Sequence, residues 1–165
     1  MLRIYPQWGY NKLVKIVSLN RRAYHDYDIL ENVEAGIALQ GTEVKSVREG
    51  KVDISRSFAQ MEHGELWLIN SHISCYDKGN RYNHEVSRPR KLLLHHREIN
   101  DLGAKVAQKR LTLVPLKVYI KGRMVKVDLG LARGKRLYDK RRSIAQRETE
   151  RETERALKYV LRRRV

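Results

Sequence analysis

Thr112-Leu113-Val114-Pro115-Leu116-Lys117-Val118-Tyr119-Ile120-Lys121, Gly122-Arg123 and Met124-Val125-Lys126-Val127-Asp128-Leu129-Gly130-Leu131 form the most strongly patterned stretch of the chain. Side chains alternate across a strand, so positions two apart share a face. Thr112, Val114, Leu116, Val118 and Ile120 predict one apolar face, and Val125, Val127, Leu129 and Leu131 another, around a turn at residues 121–123. Lys126 and Asp128 then project from the opposite side of the second strand. Pro115 has no N–H to give a ladder, so it belongs at an edge or a bulge.

Working outward, a second hairpin is expected where residues 58–61 and 66–69 flank the turn cluster Glu62-His63-Gly64-Glu65. Residues 27–30 and 35–39 read as extended, ending near Gly41. Two helices interrupt the strands. Residues 42–49 are short, with Val44 and Val47 three apart and Gly50 as a stop. Later, His95, Ile99, Leu102 and Val106 fall on one helical stripe, and Glu98 stands where a capping-box acid belongs. Short strands in hairpins with one or two helices point to a mainly β fold: a small closed barrel of the oligonucleotide-binding type, with associated α-helices.

The chain has 165 residues and a formal net charge of +16, with a pI near 10.2. Such a field suits nucleic acid or an anionic membrane better than a small acidic substrate. No apolar run approaches the ~18 residues of a transmembrane helix. Lys12 and Lys15 interrupt the only apolar stretch near the start, so no secretory signal is expected. Cys75 is the single cysteine, which excludes a disulfide framework and fits a reducing, cytoplasmic setting.

Charge is unevenly spread. Residues 133–165 hold 13 basic and 5 acidic side chains, so a fifth of the length carries half of the excess. The expected organisation is therefore an N-terminal arm at 1–19, a barrel domain at 20–132 and a basic C-terminal tail at 133–165. Within the tail, Glu148 precedes Arg151 by three residues and Glu154 precedes Lys158 by four, pairs that support a helix by ~0.2–0.5 kcal/mol each. Few apolar side chains could dock it, so the segment is expected to be helical against a partner.

Candidate chemistry is sparse. His72 and Cys75 have ligand-like spacing and His84 is near, but zinc wants a fourth ligand and there is no second cysteine, so no metal site or cofactor is expected. His95 and His96 are neighbours on a helix and point apart. No nucleophile elbow or phosphate-cradling glycine loop is present, and no catalytic residue is assigned. Gly134-Lys135-Arg136-Leu137-Tyr138-Asp139-Lys140-Arg141-Arg142 packs five cations around one aromatic ring. It reads either as a phosphate-binding segment with a stacking ring or as a solvated linker. Glu34 is odd on so basic a protein. It is either an ordinary exposed strand glutamate or an acceptor for base amino groups and 2′-hydroxyls.

Four stretches, Asn20-Arg21-Arg22-Ala23-Tyr24-His25-Asp26-Tyr27, Glu34-Ala35-Gly36-Ile37-Ala38-Leu39-Gln40-Gly41-Thr42-Glu43-Val44-Lys45-Ser46, Arg90-Lys91-Leu92-Leu93-Leu94-His95 and Gly134-Lys135-Arg136-Leu137-Tyr138-Asp139-Lys140-Arg141, closely resemble the tmRNA-binding proteins, the small protein B (SmpB) or SsrA-binding family. They run in family order over most of the chain. The resemblance implies a non-enzymatic, monomeric, cytoplasmic factor of trans-translation that delivers tmRNA to stalled ribosomes. The barrel would bind the tRNA-like domain of tmRNA through Tyr27, Glu34, Leu93, His95 and Lys126. The tail would meet the ribosomal decoding centre and the empty mRNA channel through Lys135, Arg136, Tyr138, Asp139, Lys140 and Arg141, becoming helical there. As a helix, residues 138–159 would reach roughly 33 Å. The chain departs from the family pattern over residues 1–19, at Cys75, at Glu85-Val86 and at His95, where some relatives carry Asn.

Overall fold

The computed structural model describes residues 14–79 and 83–135. Its centre is the hairpin of two long antiparallel strands, Thr112–Lys121 and Met124–Gly134. Lys121 faces Met124, which leaves a two-residue turn in which Gly122 takes a φ of 62°. A positive φ at that position matches the right-handed strand twist, and glycine reaches it without a Cβ clash.

Pro115 does lie at a bulge: the register of the hairpin shifts between Pro115 and Lys117. The consequence corrects the single apolar face expected for residues 112–120. One extra residue moves every later side chain to the other face. Leu113, Val118 and Ile120 pack in the main core, whereas Val114 and Leu116 join a second, smaller cluster with Ala23 and Ala132. The carbonyls freed near the bulge are taken by Asn20. Its backbone N–H donates to Leu116 O at 2.8 Å and its Nδ2 to Pro115 O at 2.9 Å and Ile54 O at 3.1 Å.

In chain order the strands and helices are β1 (Val14–Leu19), α1 (Arg21–Asp26), β2 (Tyr27–Ile37), α2 (Gly41–Arg48), β3 (Val52–Asp53), β4 (Phe58–Glu62), β5 (Glu65–Ile69), β6 (His72–Ile73), β7 (Arg90–Leu93), α3 (His96–Lys109), β8 (Thr112–Lys121) and β9 (Met124–Gly134). Strand pairing follows β8–β4–β5–β7–β2–β9 and returns from β9 to β8, so six strands form a ring. β1 adds to β8, and β3 pairs with β6 apart from the ring. The expected hairpin at residues 58–69 is present as β4–β5, with His63 and Gly64 at the turn.

The arm expected at residues 1–19 is corrected in its described part. Residues 14–19 are β1, in register with β8 from Val14 opposite Lys121 to Leu19 opposite Lys117. Val17 packs against the main core. A β-branched run beside an open strand edge pairs with it and satisfies both sets of backbone groups. Residues 1–13 lie outside the described part. At the other end, the body's compact unit closes at Arg133; a second unit starts at Gly134, of which only Gly134 and Lys135 are described.

α3 buries Ile99 and Leu102 on the expected stripe, with Val106 packed against the core. His95 is its N-cap residue, and Glu98 Oε2 accepts the His95 backbone N–H at 2.9 Å. At Gly103 a Cβ would lie 2.8 Å from Met61 Cε, the flexible end of a side chain on β4, so α3 passes close to that strand.

Candidate nucleic-acid interface

β2 carries Glu34 on the outward face of the ring, beside β9 and, beyond it, β8. Tyr119 on β8 faces Lys126 on β9 across the hairpin. The Tyr119 hydroxyl donates to Glu34 Oε2. Lys126 Nζ lies 3.5 Å from Glu34 Oε1, and Lys121 Nζ 3.5 Å from Glu34 Oε2. The Tyr119 hydrogen bond, followed by the two ammonium charges, holds the Glu34 carboxyl below the usual glutamate range despite some desolvation. Burial and the Glu34 carboxylate push the Tyr119 phenol well above its ordinary value. Glu34 is thus fixed as an ionised acceptor, and Tyr119 as a neutral donor. Two ammonium groups share one carboxylate, so the cluster keeps a net positive charge.

The neighbouring strand β7 adds an apolar element. Leu93 pairs with Gly36, two residues beyond Glu34, and its side chain is 51% exposed. A Cβ at position 36 would lie 3.1 Å from Leu93 Cβ, so glycine lets Leu93 lie down on β2. His95 follows two residues later, exposed at the start of α3. Tyr27 is placed differently. It packs with Ile29 against the second apolar cluster and lines a cavity of about 540 Å³ with Asn20, Arg22, Arg56 and Phe58.

Of the barrel residues expected to act together, the structure brings Glu34 and Lys126 into direct contact and sets Leu93 beside Gly36 on the same strand as Glu34. His95 is close in sequence to that group, while Tyr27 belongs to the cavity. Of the tail residues, Lys135 is described just after β9; Arg136, Tyr138, Asp139, Lys140 and Arg141 lie outside the described residues. Tyr119 and Lys121 were not among the expected site residues. Counting outward from the two-residue turn would have found Tyr119, since it and Lys126 stand at equal distances from Gly122-Arg123.

Beneath this face lies a sealed ionic node. Glu43 and Arg90 are both 0% exposed, with Arg90 Nε 2.9 Å from Glu43 Oε1. Arg88 Nη2 reaches Glu43 Oε2 at 2.5 Å. The remaining Arg90 donors go to Ser71 O and Oγ, Arg88 O and Val86 O at 2.7–3.0 Å. Burial alone would raise the Glu43 pKa; the Arg88 hydrogen bond, the Gln40 N–H and both guanidinium charges outweigh it and hold it low. Arg90 opens β7, so this node sets where Leu93 emerges three residues later.

The histidine and cysteine spacing has a structural use here. His84 is 5% exposed, with Nδ1 2.9 Å from Thr42 Oγ1 and Nε2 3.0 Å from Ile73 O. Cys75 is an exposed free thiol. Among the described residues no group of three or more histidine, cysteine or acidic side chains is placed to hold a metal ion, and no helix is long and apolar enough to cross a membrane.

The family model described as SmpB protein matches residues 17–159. The SsrA-binding protein of Carboxydothermus hydrogenoformans is 61% identical over 144 residues, covering 87% of this chain and 97% of that one. That of Chloroflexus aggregans is 55% identical over 150 residues, covering 90% and 95%. A solved structure, "tmRNA-SmpB: a journey to the center of the bacterial ribosome", contains a chain 58% identical to this one. It superposes with a TM-score of 0.62 over 76% of this chain and 86% of that chain. With likeness running through the strand ring and into the tail, the chain belongs to the SmpB family.

Proposed function

We propose that this chain is the tmRNA-binding factor of trans-translation and brings tmRNA to stalled ribosomes. The observation that carries the reading is the Glu34–Tyr119–Lys121–Lys126 cluster beside the exposed Leu93, on the outward face of a protein whose relatives are named for binding SsrA RNA. Ionised Glu34 can accept from base amino groups or 2′-hydroxyls, which a phosphate-seeking surface alone could not recognise. Lys121 and Lys126 meet phosphates, and Leu93 offers an apolar seat for a ribose or base. His95 and Tyr27 are assigned to the same RNA. On this reading the strand ring is a closed barrel of the oligonucleotide-binding type.

Residues 133–165 form the second functional part. Lys135, Arg136, Tyr138, Asp139, Lys140 and Arg141 would engage the decoding centre, and the segment beyond them would enter the mRNA channel as a helix. An occupied channel excludes that helix, so message absence is sensed by competition for space. The factor works by binding rather than catalysis, as a monomer in the cytoplasm.

The test has two arms. Affinity for the tRNA-like domain of tmRNA should exceed that for an unstructured RNA of equal length; equal affinities would overturn the reading. A chain ending at residue 135 should keep its affinity for that domain yet fail to support tagging of stalled nascent chains. Normal tagging by the shortened chain would remove the two-part division.

A further inference from the structure

β1 presents an apolar row that the site described so far does not use. Val14, Ile16 and Leu19 are 44%, 59% and 46% exposed. Together they are an unusual concentration of exposed aliphatic surface for one short strand. Register decides which way they face. Ile16 is opposite Tyr119, Val14 opposite Lys121 and Leu19 opposite Lys117. Cross-strand partners share a face, so the row stands on the side where Tyr119 reaches Glu34. Met124, 61% exposed, faces Lys121 at the hairpin end.

The order β2–β9–β8–β1 makes this one continuous surface about 14 Å wide, three strand spacings across. Cationic and polar groups fill its middle: Lys126 on β9, then Tyr119 and Lys121 on β8. Lys117 Nζ lies 5.6 Å from the centre of the Tyr119 ring and 3.3 Å from Asp128 Oδ2, so its charge is paired within the protein. The aliphatic row is the far edge. A mixed surface of this kind, lysines beside aliphatic side chains, suits an RNA strand, whose phosphates seek the lysines while its sugars and unpaired bases seek the apolar edge. A protein partner would have to bury the lysine row at a desolvation cost.

We propose that the RNA-contacting face extends over β1, with Val14, Ile16 and Leu19 forming a shelf for ribose and base surfaces next to phosphates held by Lys121. This rests on the reading that Glu34 and Lys126 bind the tRNA-like domain. The test compares Ile16→Thr and Leu19→Thr, which keep strand propensity, with Lys126→Ala, using that RNA domain and monitoring thermal unfolding. Each threonine variant should weaken binding about fivefold, the effect of removing partial apolar burial. The dependence of affinity on salt should stay unchanged, because no charge is lost. On the unsubstituted protein, adding the RNA should shift the methyl resonances of Val14, Ile16 and Leu19, a measurement independent of variant folding.

If Lys126→Ala weakens binding while both threonine variants bind normally and the methyl signals stay put, the shelf is refuted and the Glu34–Lys126 site stands. Should Lys126→Ala also bind normally, the site itself fails. If the β1 methyl signals instead shift with protein concentration in the absence of RNA, the row is a contact between copies of the chain and the inference is overturned.

Discussion

Two glutamates in this molecule are each flanked by two cations, and they do opposite jobs. Glu43 sits between Arg88 and Arg90 with no exposure; Glu34 sits between Lys121 and Lys126 with a side chain 41% exposed. In the first, Arg90 is fully buried and each of its guanidinium nitrogens donates within the protein, so the node holds β7 in place. In the second, flexible ammonium groups stand 3.5 Å away with donors to spare. The same charges in water remain available to a partner. Burial, more than residue type, separates scaffold from recognition surface.

Breaking the buried node should have the largest effect. Glu43→Ala strands two guanidinium groups, one fully buried, and should cost about 3–5 kcal/mol in urea unfolding. The same carboxyl gives the acid limb of stability. Its pKa is lowered in the fold, so its contribution is full above the ordinary glutamate value, near ~4.3, and is lost as pH falls through the lower folded value. A pH series of unfolding midpoints in which Glu43→Ala keeps the full acid loss would show that other groups govern it.

At the surface node, Lys126→Ala should weaken binding of the tRNA-like domain about tenfold, or ~1.4 kcal/mol, and reduce the salt slope by about one. Unfolding should hardly change. A stability loss as large as that of Glu43→Ala would erase the distinction between the two nodes.

Tyr119→Phe removes one hydrogen bond to a charged acceptor and should cost about 1 kcal/mol. Because the folded phenol is held above its ordinary value, its contribution is full below ~10 and declines as pH rises further. The phenylalanine variant should therefore lose stability less steeply in alkali. The smallest expected change is in the stability of Glu34→Gln, within about 1 kcal/mol for so exposed a group, although its RNA affinity should fall measurably.

Much of this was legible in the chain before folding was considered. The β8–β9 hairpin follows from strict alternation around Gly122, the β4–β5 hairpin from its turn residues, and α3 from a helical stripe ended by His95 and Glu98. Pro115 announced an edge or a bulge because it lacks an N–H. Which face Val114 and Leu116 would take was not legible, because a one-residue insertion in register is fixed by backbone packing, here by Asn20 holding the Pro115 and Leu116 carbonyls. β1 was misjudged because an edge strand draws its stability from the neighbour it pairs with, and that neighbour lies about a hundred residues away.

Local pattern, then, determined the two hairpins, helices α2 and α3 and the positive field, since each depends only on neighbouring residues and total charge. Only the tertiary structure decided which charges are sealed and which are offered. Closing a ring of strands brings Glu34 against Tyr119 and Lys126, and Glu43 against Arg90, across sequence separations that no local rule spans. The dielectric each carboxylate meets is a property of that closure.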